Sequence, residues 1–144
     1  MGARSSRPRT LRTRLLGQRG AAAVEFALVV PMLLLLLMGI VEYSRVYQAQ
    51  GTVSAAAREG VRVMALTNNA SQARSAAQTA GSPLSLPNSG FVWSYSRGGL
   101  SSCSNAQPTD TVTLKITYRQ LFASGLLGRT YVDVVGTASM RCGG

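Results

Sequence analysis

Residues 19–41 decide the fold of this chain, and they read RGAAAVEFALVVPMLLLLLMGIV. From Ala21 to Val41 an α-helix would span about 32 Å, which is enough to cross a hydrocarbon core of about 30 Å. Glu25 is the only charged residue in this span. An ionised group near the bilayer centre costs about 2.5 to 3.5 kcal/mol, and less near the boundary. The stretch therefore predicts a membrane helix that keeps one carboxylate close to its N-terminal boundary.

Positive charge is concentrated before this span. The chain has 144 residues and a formal net charge of +10, and residues 1–20 hold six arginines and no acidic residue. Arginines immediately before a first span keep that end in the cytoplasm, so we expect Arg12, Arg14 and Arg19 to set the orientation. A basic arm could instead bind nucleic acid, but the adjacent span explains the charge better. We expect no nucleic-acid partner, and no ordered structure over residues 1–18.

The residues around Gly20 form a distinctive pattern, in which a basic leader ends at Gly20, Glu25 follows five residues later, and Phe26 precedes the apolar helix. This pattern resembles the processing site of type IV prepilins and pseudopilins. Further on, the chain has Pro31, EYSR at residues 42–45 and AAAREGVR at residues 55–62. With these residues, the stretch 19–66 resembles more narrowly the TadE-like pseudopilins of the tight-adherence (Flp) pilus system. Beyond residue 66 the resemblance is looser.

This resemblance implies that a prepilin peptidase cuts between Gly20 and Ala21 and leaves the membrane helix on the product. It also implies that Glu25 neutralises the new amine of Ala21 in a neighbouring copy. The implied partners are the prepilin peptidase, other pilins or pseudopilins, and inner-membrane platform proteins. Because major pilins of this system are much shorter, the resemblance favours a minor pseudopilin with a structural or assembly role in pilus biogenesis or secretion.

The implied location is a single-pass membrane protein with a cytoplasmic N-terminus and an extracytoplasmic C-terminal domain, held in the membrane or in a surface filament. One alternative stays open at this point. The chain could be an uncleaved single-pass envelope protein whose outer domain binds another cell-surface protein, and Glu25 would then only reach headgroup water.

The helical pattern continues past Val41. Small and apolar residues lie on one helical face, whereas polar residues lie opposite; the apolar set is Val46, Ala49, Val53, Ala56, Ala57, Gly60 and Met64. One helix over residues 21–66 is therefore predicted, with a kink or a melted turn at Pro31. Gly51 and Gly60 weaken this helix, so either is a candidate bend. Asn68 and Asn69 predict its end and the cap of a second helix over residues 70–80.

The remainder of the chain predicts strands. Residues 111–119 alternate apolar and polar side chains, as do residues 91–96, and a third strand is predicted over about residues 131–140. The apolar connection 120–128 either tucks under the sheet or forms an exposed patch for a partner or the membrane surface. The predicted fold class is α+β and pilin-like, with a long N-terminal membrane-spanning helix that continues into a small domain with an approximately three-stranded antiparallel sheet.

The predicted organisation has five parts. They are a cleaved cytoplasmic leader at 1–20, a transmembrane helix at 21–41, its exposed continuation at 42–66, a short helix and loop at 67–90, and a strand-rich extracytoplasmic domain at 91–144.

Cys103 and Cys142 both fall on the side that would be exported, where oxidising conditions permit a disulfide. The alternative is two free thiols. The chain has no histidine and only five acidic residues, so the sequence predicts no metal site, no cofactor and no enzymatic activity. Glu42 and Glu59 have arginines three residues later, at Arg45 and Arg62, which predicts two solvated ion pairs.

Overall fold

The structure is a computed structural model that describes residues 12–104, 106–122, 125, 128 and 130–143, with only the backbone of residues 12–19. Predictions about residues 1–11, and about Ala123, Ser124, Leu126 and Leu127 of the apolar connection, lie outside the described residues. The chain divides into two compact units, Met1–Ile40 and Val41–Gly144.

Its elements are helix α1 (Arg12–Thr67), helix α2 (Ala70–Ala80), a 3₁₀ turn (Asn88–Gly90), and strands β1 (Phe91–Tyr95), β2 (Thr111–Leu121) and β3 (Tyr131–Arg141). The predicted α+β class is confirmed.

Helix α1 begins nine residues before its predicted start. It starts at Arg12 rather than Ala21, so the prediction that residues 1–18 lack ordered structure is wrong for residues 12–18. Arginine, leucine and glutamine are good helix formers, and extending an existing helix needs no new nucleation. The helix also continues through Pro31 without interruption, so the predicted melted turn is absent. Proline removes its own N–H donor and crowds the carbonyl four residues earlier, but the turns on both sides of Pro31 remain helical.

The three strands form one antiparallel sheet in the order β1-β2-β3. Central strand β2 pairs along its whole length with β3, from Thr111 opposite Arg141 to Leu121 opposite Tyr131. Its alternate residues Val112, Leu114 and Ile116 are fully buried. The period-2 pattern therefore predicted both the strand and its buried face correctly.

The buried face of the sheet packs against the second half of α1, in the unit Val41–Gly144. The predicted stripe is confirmed, since Ala49, Val53, Ala56, Ala57 and Met64 all belong to the core. The approach is so close that a Cβ built on Gly136 of β3 would lie 2.5 Å from the Val53 carbonyl oxygen.

Gly60 has the same packing role on the helix side. A Cβ there would lie 2.6 Å from Cδ2 of Leu114 and 2.9 Å from Cβ of Ala77. Absent side chains at Gly60 and Gly136 thus let the helix and sheet meet.

Two asparagines separate α1 from α2, as predicted. Asn68 has a φ of 52°, the left-handed conformation that ends many helices. The Asn69 side chain accepts hydrogen bonds from the backbone N–H groups of Ser71 at 3.0 Å and Gln72 at 3.1 Å, which caps α2. The Asn68 side chain also accepts a bond from the backbone N–H of Cys103 at 2.6 Å. The end of α1 is therefore fastened to the connection between β1 and β2.

A disulfide joins Cys103 to Cys142, with 5.3 Å between the two Cα atoms. The bridge ties the β1–β2 connection to the end of β3, and the neighbouring Gly143 N–H donates to the Ala65 carbonyl at 3.3 Å. The disulfide thus joins two segments at this end of the sheet, and hydrogen bonds from Cys103 and Gly143 hold both segments to the end of α1.

Asp110, the last residue of the β1–β2 connection, is buried. Its carboxylate accepts a bond from the Gln107 N–H at 2.7 Å and pairs with Arg97. The Gln107 bond, helped by Arg97, lowers the Asp110 pKa below the ordinary 3.8 although burial opposes this. Because the pKa is lower in the folded state, the carboxylate stabilises the fold at pH values above 3.8, and this contribution is lost as the pH falls through the lowered pKa.

The two predicted helical ion pairs differ in outcome. Glu59 and Arg62 lie 3.4 Å apart and are exposed, as predicted. Glu42 is instead buried, with 4% of its surface exposed, so the prediction of a solvated pair with Arg45 is wrong. Spacing along the helix predicted the Glu59–Arg62 pair correctly, but it could not show which residues are covered by the rest of the chain.

We predict that Gly136→Ala lowers the free energy of unfolding of the Val41–Gly144 unit by about 1 to 3 kcal/mol, because the new methyl group would overlap the α1 backbone. Gly51 is the matched control, since it is exposed and a Cβ there meets nothing within 4 Å. Gly51→Ala should be neutral or stabilising by up to about 1 kcal/mol. Urea unfolding of the full chain in detergent, followed by fluorescence of Trp93, the only tryptophan, measures both. Equal stability of the two variants would contradict the close-approach account.

We also predict that removing the disulfide lowers the free energy of unfolding by about 4 kcal/mol, the chain-entropy value for a closed loop of this length. Cys103→Ser, Cys142→Ser and the double variant should lose the same amount, because each removes one shared bond. Thiol labelling of unreduced protein from an oxidising compartment provides the independent check, and two labelled sulfurs would refute the bridge.

Candidate processing site and membrane segment

The predicted processing residues lie on consecutive turns of α1, in the unit Met1–Ile40. Gly20, Ala21, Glu25 and Phe26 are all exposed, and Phe26 is 71% exposed. A Cβ built on Gly20 would meet nothing within 4 Å. Gly20 therefore has no packing role within the described chain, in contrast to Gly60 and Gly136.

The Gly20–Ala21 peptide bond lies inside the helix, eight residues after its start. Proteolysis favours exposed segments whose backbone can leave regular structure, so a protease must open α1 locally to reach this bond. Glycine lowers helix stability by about 1 kcal/mol relative to alanine. Gly20 thus offers both an approachable backbone and a locally weakened helix. The helical state of this bond differs from the prediction, in which the helix begins at Ala21.

The apolar span has no cover within the described chain. Its most apolar 18-residue window has a mean hydropathy of 2.6, and none of it is buried. The core helix of a soluble domain would bury one face. The exposed residues instead include Val24, Leu28, Val29, Met32, the five leucines from Leu33 to Leu37, Met38, Ile40 and Val41. The segment fits a single-pass membrane protein.

Glu25 has no hydrogen-bond or ion-pair partner among the described residues, and its side chain is exposed. It lies four residues, and therefore about one helical turn, after Ala21. A carboxylate in an apolar segment needs a partner or access to water. Within the described chain neither a cation nor a donor supplies that partner.

The processing residues and the two cysteines belong to different units, so the structure does not bring the predicted site residues into one place. Arg12, Arg14 and Arg19 continue α1 toward the N-terminus as helical backbone. Among the described residues no cluster of three metal-ligating side chains occurs. The absence of a metal and of a cofactor stays a prediction.

Comparison with known families bears on this segment directly. Residues 20–62 match the family model described as TadE-like protein. This segment is TadE-like. It includes the exposed apolar span and most of the small residues that pack against the sheet, whereas the end of α1 and all three strands lie outside the match. Comparison with curated proteins and with solved structures returned no match.

We predict that Glu25→Ala and Glu25→Gln leave membrane insertion of the TadE-like segment intact and impair assembly. Each substitution removes a charge from the apolar span, which lowers the cost of burial. Each also removes the carboxylate that the resemblance to pseudopilins pairs with the amine of a neighbouring copy. Membrane fractionation and counts of surface filaments measure the two effects separately. Glu59→Gln is the control, since Glu59 is exposed in the other unit. Full piliation by both Glu25 variants would contradict a role in assembly and would favour the alternative, in which the Glu25 side chain only reaches the headgroup layer.

Proposed function

We propose that this chain is a minor pseudopilin of a tight-adherence pilus biogenesis or secretion system, with a structural and assembly role after cleavage by a prepilin peptidase. The observation that carries the proposal is the TadE-like segment itself. It begins at Gly20 and continues into an apolar helix that none of the described residues covers. Glu25 stands five residues after Gly20.

Cleavage after Gly20 changes the charge of the chain but not its anchor. It removes 20 residues and six arginines, and leaves 124 residues that begin at Ala21. The new α-amino group stands at the start of the apolar helix. Its charge is costly in lipid unless a partner is near, and two opposite charges close together cost less than two that are separate.

Glu25 supplies that partner. In a neighbouring copy shifted along the helix axis, its carboxylate pairs with the Ala21 amine in the apolar layer. Within one chain, the carboxylate and the amine both lie in the first turns of the processed helix, where the positive end of the helix dipole also favours a carboxylate. The pair therefore selects neighbours that present an amine at the matching depth.

The unburied span provides the surface for assembly. Helices in lipid associate through van der Waals packing, and small residues let their backbones approach. Ala21, Ala22, Ala23 and Ala27 place such residues around Glu25. The partners are other pilins or pseudopilins and the inner-membrane platform proteins of the same system.

The proposed orientation has residues 1–20 in the cytoplasm and the Val41–Gly144 unit outside. The arginines support it by the positive-inside rule. The Cys103–Cys142 disulfide supports it too, since such bonds persist in oxidising compartments. With no histidine and five acidic residues in the whole chain, the role is structural rather than catalytic.

We predict that Gly20→Val blocks maturation and accumulates the full-length chain. A Cβ at position 20 meets nothing within 4 Å among the described residues, so the substitution should leave the Val41–Gly144 unit unchanged. It should act on peptidase access and on the local opening of α1 at the cut. Coexpression with a prepilin peptidase, followed by N-terminal sequencing, measures the result.

Gly39→Val is the matched control. Gly39 is also exposed with no neighbour within 4 Å of a Cβ, and it lies in the apolar span away from the cut, so this variant should still begin at Ala21. Normal cutting of the Gly20→Val chain would contradict the proposed site. An unprocessed native chain would favour the alternative, an uncleaved envelope protein.

A further inference from the structure

The solvent face of the sheet is apolar at one end and polar at the other across β2 and β3. At one end Leu121 lies opposite Tyr131, and these side chains are 63% and 42% exposed. At the other end the exposed pair Thr113 and Ser139 is joined by a hydrogen bond of 3.0 Å between the two hydroxyls. The solvated face of an antiparallel sheet is normally polar, so the exposed apolar residues at one end indicate a surface that contacts something other than water.

The apolar end of the sheet lies beside the beginning of the unit Val41–Gly144. A cavity there is lined by Arg45 and Gln48 of α1 together with Tyr118 and Gln120 of β2. Leu121 follows directly in the chain. The opposite end of the sheet is fastened near Ala65, through the Gly143 N–H. The sheet therefore runs along α1 with its apolar end near Val41 and its polar end at the last turns of the helix.

The helix surface at this level is aromatic. Tyr43 and Tyr47 are 73% and 71% exposed, and their rings stack with centroids 6.5 Å apart. Tyrosine is enriched where hydrocarbon meets headgroups, because its ring is apolar and its hydroxyl polar. On the sheet, the Arg119 guanidinium lies 4.0 Å from the Tyr131 ring centroid, and its Nε lies 3.3 Å from Asp133. Apolar surface and charged groups thus adjoin at the same end.

From this placement we infer that Tyr43, Tyr47, Leu121 and Tyr131 form an interfacial patch that rests on the headgroup layer of the bilayer. The inference rests on the proposed function in one respect, that residues 21–41 cross the membrane. Arg45 lies four residues, about 6 Å, past Val41, and the headgroup layer is about 5 to 7 Å thick on each side of the hydrocarbon. Ala65 lies about 36 Å past Val41 along the helix, beyond the reach of lipid.

Lipid is the occupant that the location favours. Tyr43 follows the last residue of the apolar span by two positions, so its ring meets the headgroup layer whether or not a second copy is present. The sheet end beside Arg45 is then at the same depth. The patch thus holds the outer unit against the membrane surface, in addition to the helical anchor.

Depth-dependent fluorescence quenching tests the patch in the full chain. Trp93→Phe provides the background, since the Trp93 Nε1 is buried without a hydrogen-bond partner among the described residues. Single tryptophans are then placed as Leu121→Trp, Tyr131→Trp, Ser139→Trp at the polar end, and Leu35→Trp in the span. The protein is reconstituted in vesicles of phosphatidylethanolamine and phosphatidylglycerol, with and without acyl chains brominated near the headgroup.

The patch predicts severalfold stronger quenching at positions 121 and 131 than at position 139. Quenching at Leu35→Trp with no excess at 121 and 131 over 139 would overturn the patch while leaving the membrane span intact, and is also the result if a second copy covers these residues. No quenching at Leu35→Trp would instead refute the span, and with it the patch. Formation of the Cys103–Cys142 disulfide verifies folding of each variant.

Discussion

The contact between Gly136 of β3 and the Val53 carbonyl of α1 is the constraint on which the outer unit depends. Three strands alone bury too little apolar surface for a stable domain, so the sheet must take the other half of its core from the helix. A side chain on Gly136 would prevent this approach, and the small residues Ala56 and Ala57 of α1 are completely buried. The largest fully buried side chains come from both elements, with Leu114 and Ile116 on the sheet and Val53 and Val61 on the helix.

Helix α1 therefore has two kinds of surface, an unburied surface of large apolar residues before Val41 and a surface after Val41 that packs against the sheet. Before Val41 its large apolar residues are unburied, and their cover must come from lipid or from other membrane helices. After Val41 its small residues are covered by the chain's own sheet. The TadE-like match extends across both kinds of surface and stops at Arg62, near the end of the helix. The proposed assembly role uses the first surface, and the stability of the outer unit uses the second.

Much of this fold could be predicted from local sequence patterns. The alternation over Val112, Leu114 and Ile116 predicted β2 because a strand exposes its faces with a period of two. The Asn68–Asn69 pair predicted the helix boundary because asparagine adopts the left-handed conformation that ends a helix and can cap the start of the next one. Because the chain has only two cysteines, an intramolecular disulfide could form in only one way.

The predictions failed where contacts between residues far apart in the sequence determine the role of a residue. Glu42 had a suitable helical neighbour, yet its burial depends on tertiary packing that spacing does not encode. Gly60 was interpreted as a candidate bend in the helix, although its role is contact with Leu114. At the candidate site, the sequence predicted the order of Gly20, Glu25 and the apolar span, but not that the Gly20–Ala21 bond is helical. The proposed cleavage therefore requires that α1 first open locally at this bond.

The central claim is that this chain matures by losing its first 20 residues and keeps its membrane helix. The most direct measurement is the mass of the N-terminal peptide of the protein isolated from native membranes. The account predicts a peptide that begins at Ala21 in the membrane fraction, on a chain of 124 residues. A native terminus at Met1 or Gly2, or a soluble product that begins after Val41, would contradict it.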